Sequence, residues 1–347
     1  MLQTDARLAL IQDWLSRELG LRVERIEPAS ADASFRRYFR ARLCGATRIV
    51  MDAPPEKEDV RPYLKVTRLL EGVGMHVPHV HEADEARGLV LLEDLGTTHY
   101  LSRLKDGGDA DALYGDALRV LAELQVRGRD AAGELPPYDR AVLLREMALM
   151  PEWCCGRHLG LALTPAENAL LERTFSFLIH EALLQPQVFV HRDYHSRNLM
   201  VLRERNPGVL DFQDALRGPL GYDLVSLLKD CYIAWPRERV ERWLLEHRRV
   251  LRARGMDAGR DEREFLRWFD LIGVQRHVKV LGIFARLWYR DGKPGYLPDL
   301  PLTLDYVRDA AARYAELRDF SHFIEQRVAP GLAAANERAL SQMELGA

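Results

Sequence analysis

Residues 187–215 read QVFVHRDYHSRNLMVLRERNPGVLDFQDA. The apolar run Val188–Val190 predicts a strand that leads into a polar loop. A second strand is predicted to begin near Asn198 and to return as Val209–Phe212, because Asn206-Pro207-Gly208 is a favourable turn sequence. The stretch therefore predicts a strand, a loop and a β-hairpin in close succession.

The hairpin brings together side chains that can hold a metal. If its turn is centred at residues 204–205, Asn198 and Asp211 lie opposite each other on facing strands. An amide oxygen and a carboxylate suit Mg²⁺, so we predict that Asn198 and Asp211 are its ligands. Asp193 lies five residues before Asn198 on the loop. We predict Asp193 as the catalytic base, because phosphoryl transfer needs positioning and charge neutralisation more than covalent chemistry.

These residues also match a known motif. His191 to Asn198 fit the pattern H-R-D-x-x-x-x-N of kinase catalytic loops, and Asp211 supplies the aspartate that follows it. A competing interpretation takes His191, Asp193 and His195 as HxDxH metal ligands of a hydrolase. That interpretation needs further ligands, and none is evident elsewhere in the sequence. We therefore favour phosphoryl transfer.

The composition is that of a folded protein with no strong charge bias. Lys plus Arg number 49 against 52 for Asp plus Glu, so no global field favours nucleic acid or an anionic membrane. The four cysteines form no CxxC pair, which predicts buried thiols in a reducing compartment. Acidic residues interrupt the N-terminal apolar run, and no stretch suits a membrane span. We therefore expect a cytoplasmic protein without nucleic-acid or membrane partners.

A chain of 347 residues exceeds the usual size of one domain, so we expect two lobes. The predicted fold class is α+β: a β-rich N-lobe over residues 1–95 that covers a nucleotide, and a mainly helical C-lobe over residues 96–347. The C-lobe carries one β patch at residues 187–213. Helices are predicted at 8–19, 60–70, 111–128, 141–160, 165–185, 219–232, 237–254, 262–289 and 302–325, and N-terminal strands at 22–26, 35–43, 48–51 and 88–93.

The helix predicted at residues 271–289 carries polar side chains within an apolar sequence. Gln275, Arg276 and Lys279 lie within one helical turn, and His277 is nearby. We predict that the first three line an acceptor pocket. Cationic side chains there favour a neutral or anionic acceptor over a polycationic aminoglycoside. The alternative is a solvated basic face whose aliphatic parts pack on the protein.

Four polar residues outside this helix are further candidates. We predict that His195 and Glu152 touch the acceptor. Asp214 and Asp223 are predicted to brace the loop that follows Asp211.

The sequence resembles the aminoglycoside phosphotransferase/choline kinase-like family, and within it the bacterial anomeric kinases of N-acetylmuramate and N-acetylglucosamine in cell-wall recycling. The resemblance implies a bilobal protein-kinase-like fold, ATP and Mg²⁺ as cofactors, and a sugar substrate phosphorylated at its anomeric hydroxyl. It also implies a functional link to a sugar-1-phosphate nucleotidyltransferase that uses the product. The similar segments are DASFRRYF (32–39), IVMDAPP (49–55), HRDYHSRNLM (191–200), DFQDA (211–215) and VQRHVKVLG (274–282).

The resemblance implies a phosphate-covering loop at residues 31–37, which would contact the phosphates through backbone N–H groups. This loop has no GxGxxG sequence. The nucleotide-contacting residues implied there are Ser34, Phe35, Arg36 and Arg37.

The family also implies a hinge in which backbone groups of Glu93 and Leu95 bind adenine. Met51 occupies the strand position of the usual kinase lysine, and no glutamate partner is evident in the following helix. The two absences are consistent with each other, because a lysine or a glutamate left without its partner would be a buried unpaired ion. We expect Arg36 or Arg37 to neutralise the phosphates instead, because a guanidinium matches phosphate oxygens.

Two other functions stay open at this point. One is a kinase for another hydroxyl acceptor, such as an aminoglycoside or an amino alcohol. The other is a nucleotide-binding module without turnover, which the missing lysine suggests. The intact Asp193, Asn198 and Asp211 argue against the second, and the absence of an APE-like segment after Asp211 argues against a protein kinase.

Overall fold

The structure of the protein is a computed structural model that describes residues 5–31 and 35–346. The chain divides into two units. The first comprises the chain up to Gly108 together with Arg197–Ala215, and the second comprises Asp109–Ser196 together with the chain from Leu216. The first unit is β-rich and the second mainly helical, which agrees with the predicted α+β class.

The first unit contains an antiparallel sheet. Within the described residues this sheet has five strands in the order β1-β2-β3-β5-β4. Ile11 and Leu15, from the predicted N-terminal helix face, are fully buried against this sheet. The edge strand β4 was not predicted, because its sequence VHEAD is mostly polar. The strands are β1 Val23–Ala31, β2 Arg37–Leu43, β3 Ala46–Asp52, β4 Val80–Asp84, β5 Leu89–Glu93, β6 Gln187–Val190, β7 Leu199–Met200, β8 Gly208–Val209 and β9 Leu216–Pro219.

The predicted hairpin is present as β7 and β8, which pair antiparallel. It belongs to the first unit, where Met200 bridges to His99 and the Asn206 side chain donates to the Tyr100 hydroxyl at 2.8 Å. These contacts explain why the first unit extends to Gly108, whereas the sequence suggested a division after residue 95.

Helices dominate the second unit. The helix predicted at 141–160 is split into α6 and a π-helical segment, Met150–His158, because Pro151 cannot donate a backbone hydrogen bond. No helix in the described residues is both long and apolar enough to span a bilayer. The α-helices are α1 Ala6–Asp13, α2 Arg61–Gly72, α3 Tyr100–Lys105, α4 Ala110–Arg127, α5 Arg129–Ala132, α6 Arg140–Met147, α7 Pro165–Leu184, α8 Gly221–Leu228, α9 Arg237–Ala253, α10 Glu262–Tyr289, α11 Leu300–Ala311, α12 Arg318–Phe323 and α13 Ala329–Gly346.

Helix α10 makes a close backbone approach at Gly282. A Cβ atom on Gly282 would lie 2.3 Å from the backbone carbonyl carbon of Leu149. Only glycine permits this separation, because backbone atoms cannot move aside as a flexible side chain can. Glu146 and Lys279 each lie three residues before this contact, about one helical turn, and they meet at 3.1 Å. The glycine therefore helps to bring a carboxylate of α6 to a lysine of α10.

We expect Gly282→Ala to destabilise the protein by about 2–3 kcal/mol, because the added methyl overlaps the Leu149 backbone. The matched control is Gly273→Ala in the same helix, where the new Cβ would lie 3.7 Å from Val225. That variant should be neutral or gain up to about 1 kcal/mol from helix propensity. Urea unfolding measures both changes, and equal stabilities of the two variants would contradict the close approach.

Candidate functional site

The loop after β6 is held in place by a buried carboxylate. Asp223 of α8 accepts the backbone N–H of His191 at 2.7 Å and that of Arg192 at 3.0 Å. Arg192 has a left-handed φ of 78°, which these bonds help to hold. The prediction that Asp223 braces the loop after Asp211 is therefore wrong, since its acceptor oxygens serve the loop that carries the HRD residues.

A second buried carboxylate holds the other end of the same loop. Asp230 accepts the backbone N–H of Ser196 at 3.0 Å and also its hydroxyl. Its other oxygen accepts the backbone N–H of Tyr232 at 3.0 Å. Sequence analysis missed Asp230, which lies two residues beyond the end of α8.

Asp193 lies between these two braces. Its backbone N–H donates to His191 Nδ1 at 3.2 Å, and its side chain is partly exposed rather than sealed in the core. Burial acts to raise the pKa of Asp193, but four basic side chains outweigh it and hold the pKa below its ordinary value. The carboxylate is therefore ionised at neutral pH and can accept a proton. The four basic residues are Lys279, His195, Arg192 and Arg276.

The polar residues predicted on α10 are buried. Gln275 and His277 are fully inaccessible, while Arg276 and Lys279 are 4% and 7% exposed. A solvated basic face is therefore excluded. Within the described residues, neither polar side-chain atom of Gln275 has a hydrogen-bond partner.

The two cations of α10 differ in their partners. Lys279 Nζ donates to the Tyr222 hydroxyl at 3.0 Å and pairs with Glu146 at 3.1 Å. The Arg276 guanidinium lies 3.7 Å from Cys231 Sγ. Sequence analysis missed Glu146, whose two cationic partners, Arg192 and Lys279, come from distant parts of the chain.

Asn198 and Asp211 meet in the first unit, where Asn198 Nδ2 lies 3.3 Å from Asp211 Oδ2. The predicted register was wrong by one residue, because Leu199 pairs with Val209 and Leu210 donates to the Asn198 carbonyl. A one-residue shift would turn Asp211 to the other face of the hairpin. The left-handed φ of 63° at Asp211 departs from strand geometry, and the two side chains still meet.

The chemistry of this pair fits magnesium. Mg²⁺ is usually held by one or two protein oxygens together with phosphates and water. Asn198 and Asp211 supply an amide and a carboxylate, and both residues are partly exposed. Within the described residues, no three His, Cys, Asp or Glu side chains gather as a metal site, which contradicts the HxDxH interpretation.

The two candidate arginines have different surroundings. Arg36 lies 3.6 Å from Asp211, and its side chain is 10% exposed. Arg37 pairs with Asp5 and, at 2.6 Å, with the fully buried Asp52. Arg36 therefore lies beside the predicted metal ligand Asp211, while Arg37 is paired with two other carboxylates, those of Asp5 and Asp52.

The predicted hinge lies at the end of β5. The Glu93 N–H donates to the His79 carbonyl at 2.9 Å. Leu95 is 7% exposed, and Met51 on β3 is fully buried. Asp94, between Glu93 and Leu95 in the chain, accepts two hydrogen bonds from the Arg40 guanidinium at 2.7 and 3.0 Å.

The remaining predicted contacts lie in several places. Phe35 is 61% exposed, and Ser34 lies outside the described residues. His195 is buried, with its ring edge-on to Tyr232 at 5.4 Å between centroids. Glu152 is exposed on the π-helical segment after α6.

Asp223 makes stability depend on pH. Burial raises its pKa to about 7, despite the two N–H groups that it accepts. The unfolded group ionises near its ordinary pKa, so the stability that the bound proton contributes is lost as pH rises from about 4 to about 7. We expect the free energy of unfolding of Asp223→Asn, relative to wild type, to rise by about 1 kcal/mol per pH unit in that range. Urea unfolding between about pH 5 and about pH 7 measures this change, and a constant difference would contradict it.

Comparison with known proteins supplies independent findings. A model of the phosphotransferase enzyme family matches residues 25–269. An N-acetylmuramate/N-acetylglucosamine kinase of Pseudomonas putida is 44% identical over 336 residues, which is 94% of this chain and 98% of that protein. The kinase of the same name from Pseudomonas aeruginosa is 49% identical over 297 residues, covering 86% of this chain and 87% of that protein.

A solved structure matches the fold. The GDP complex of wild-type aminoglycoside 2'-phosphotransferase-IIIa aligns with a TM-score of 0.59 at 15% identity, covering 89% of this chain and 99% of that one. This likeness confirms the predicted kinase-like α+β fold.

Proposed function

Because the chain belongs to the phosphotransferase enzyme family, we propose that it transfers the γ-phosphoryl group of ATP to the anomeric hydroxyl of N-acetylmuramate and N-acetylglucosamine, with Mg²⁺. Both Pseudomonas relatives are N-acetylmuramate/N-acetylglucosamine kinases, which supports these two sugars as acceptors. The observation that carries the proposal is Asp193, which is ionised and lies on a loop held by the carboxylates of Asp223 and Asp230. Asp193 lies five residues before Asn198, and the Asn198 side chain contacts Asp211. Five residues span at most about 17 Å of chain.

Each of these residues has a role in the proposed reaction. Asp193 takes the proton of the acceptor hydroxyl as its oxygen attacks the γ-phosphorus of ATP, and the bond to the bridging oxygen breaks to release ADP. Asn198 and Asp211 would hold Mg²⁺, which would neutralise charge on the phosphates. Arg36 supplies a guanidinium to the same phosphates, because it lies beside Asp211 while Arg37 is bound to other carboxylates.

The nucleotide base would lie against the hinge, with backbone groups of Glu93 and Leu95 binding adenine and Met51 contributing an apolar surface. Phe35 and Ser34 belong to the loop that would cover the phosphates. These assignments follow the family resemblance, and the GDP bound to the aminoglycoside phosphotransferase of similar fold supports the use of a nucleotide.

The acceptor would contact residues of the second unit. The buried cations of α10 support an acceptor with a carboxylate, such as N-acetylmuramate, over a polycation. The proposed contacts are Gln275, Arg276, Lys279, His195 and Glu152. We place this reaction in the cytoplasm, where a sugar-1-phosphate nucleotidyltransferase would use its product.

An acceptor panel tests the proposal. The purified protein is incubated with Mg²⁺ and ATP plus N-acetylmuramate, N-acetylglucosamine, an aminoglycoside or choline, and ADP release is followed. We expect ADP release with the two sugars and a ³¹P NMR signal that couples to the anomeric proton. Release with the aminoglycoside or choline alone would contradict the proposal, and binding of ATP without release for any acceptor would favour a module without turnover.

A further inference from the structure

Glu146 on α6 is a buried carboxylate with three polar partners. It pairs with the guanidinium of Arg192 and with Lys279 Nζ at 3.1 Å, and it accepts the hydroxyl of Tyr138. Burial acts to raise the pKa of Glu146, but Lys279, Arg192 and Tyr138 outweigh it and hold the pKa below its ordinary value. Glu146 is therefore an anion at neutral pH and compensates two cations.

Two tyrosine rings complete the surroundings of these cations. The Arg192 guanidinium lies over the Tyr138 ring at 5.8 Å, and Lys279 Nζ lies over the Tyr222 ring at 5.6 Å. Lys279 also donates to the Tyr222 hydroxyl at 3.0 Å. The centroids of the Tyr138 and Tyr222 rings lie 5.2 Å apart, so the two rings pack against each other. Each cation therefore lies over one tyrosine ring, and both pair with the carboxylate of Glu146.

Both cations also act on Asp193. Arg192 precedes it in the chain, and Lys279 and Arg192 both lower the pKa of Asp193. A buried cation that loses its carboxylate carries a large penalty, so it moves toward another anion within reach. If Glu146 were neutral, Asp193 would be that anion for both Arg192 and Lys279.

We propose, on the basis of the proposed function, that Glu146 is a positioning residue for phosphoryl transfer: it holds Arg192 and Lys279 in their present positions, so that neither shifts further toward the carboxylate of Asp193. A base clamped by two cations is poorly available to an acceptor hydroxyl. Glu146 does not need to touch either substrate.

The charge balance around the base agrees with this role. Glu146 pairs with the two cations Arg192 and Lys279, and the second anion, Asp193, directly follows Arg192 in the chain. Removing the charge of Glu146 leaves one net positive charge on this group of four. Other titratable side chains of the second unit that act on Asp193 include His195, Arg276 and Asp223.

The first test replaces Glu146 by its isosteric amide. Glu146→Gln should lower kcat by about tenfold or more, while KM for the nucleotide changes by less than about threefold. The reason is that the base is masked while the residues proposed to bind the nucleotide are unchanged. Steady-state kinetics with ATP and N-acetylglucosamine give both constants.

A second variant separates positioning from mere packing. Glu146→Gln combined with Arg192→Met restores the charge balance and removes one of the two cations that can clamp Asp193, without changing a proposed acceptor contact. We expect its kcat to exceed that of Glu146→Gln by about threefold or more. A purely structural role for Glu146 predicts the opposite, because a second change in a buried network adds further damage.

The chain also offers a matched control. Asp270 on α10 is buried and pairs with one lysine and one arginine, Lys229 at 3.2 Å and Arg237. Asp270→Asn leaves the same two kinds of cation without their carboxylate, but neither cation is among the four side chains that lower the pKa of Asp193 most. We expect Asp270→Asn to lower the melting temperature while the kcat of the folded enzyme stays close to wild type.

The outcomes are distinct. Wild-type kcat for Glu146→Gln, or a double variant slower than Glu146→Gln, would overturn the inference. If Glu146→Gln does not fold, the double variant decides: a kcat within about tenfold of wild type supports the inference, and a larger loss overturns it. A wild type that phosphorylates neither sugar would overturn the proposed function, and this inference with it.

Discussion

Asp193→Ala is expected to lower the kcat for sugar phosphorylation by about 10²–10⁴-fold, the contribution that a positioned general base typically makes. The loop itself should survive, because Asp223 and Asp230 hold it through His191 and Ser196 rather than through the side chain of Asp193. Nucleotide affinity should therefore stay close to wild type. ADP release under saturating substrates measures the first quantity, and isothermal titration with ATP measures the second.

The control for this variant is Asp309→Ala, which removes the same side chain from an exposed position on α11. Its kcat should equal that of wild type. Undiminished ADP release by Asp193→Ala in the presence of sugar would remove the proposed base from the mechanism.

Asp211→Asn is the second change with a large expected effect. It removes the carboxylate of the Asn198–Asp211 pair and the ion-pair partner of Arg36 at 3.6 Å. Loss of an outer-shell partner costs about 10–100-fold in metal affinity or activity, so loss of a ligand should cost about 100-fold or more in kcat. The Mg²⁺ concentration that gives half-maximal rate should rise as well.

Asp59→Asn is a suitable control, because Asp59 is an exposed aspartate of the same unit that pairs with Arg61. It makes the same chemical change without touching the metal pair. Asp211→Asn with the kcat and the Mg²⁺ dependence of wild type would show that Asp211 is not a ligand.

The parts of the site that are local in sequence were predictable from sequence. Asp193, Asn198 and Asp211 fall within nineteen residues, and the turn residues between them predict the hairpin. The register failed by one residue, because the left-handed backbone of Asp211 cannot be deduced from a strand pattern. The sequence also could not distinguish the roles of Arg36 and Arg37, because only the fold shows which of the two arginines pairs with Asp52.

Residues whose partners are distant in sequence were missed. Glu146 reaches Lys279 across 133 positions, and the approach of their helices depends on the absence of a side chain at Gly282. Asp230 lies just beyond the end of α8, where no helical pattern remains to mark its face. The edge strand β4 was missed because strand formation there depends on pairing with β5 rather than on its own polar sequence.

The proposed division of labour between the base and the metal pair can be tested by one binding measurement. Mn²⁺ replaces Mg²⁺ as a paramagnetic probe, and electron paramagnetic resonance titrations follow formation of the protein–Mn²⁺–ATP complex in wild type, Asp193→Ala and Asp211→Asn. We predict that Asp193→Ala forms the complex with wild-type affinity but transfers the phosphoryl group about 10²–10⁴-fold more slowly, while Asp211→Asn binds Mn²⁺–ATP about tenfold or more weakly. Loss of the complex in Asp193→Ala, or its full retention in Asp211→Asn, would contradict the assignment of these residues.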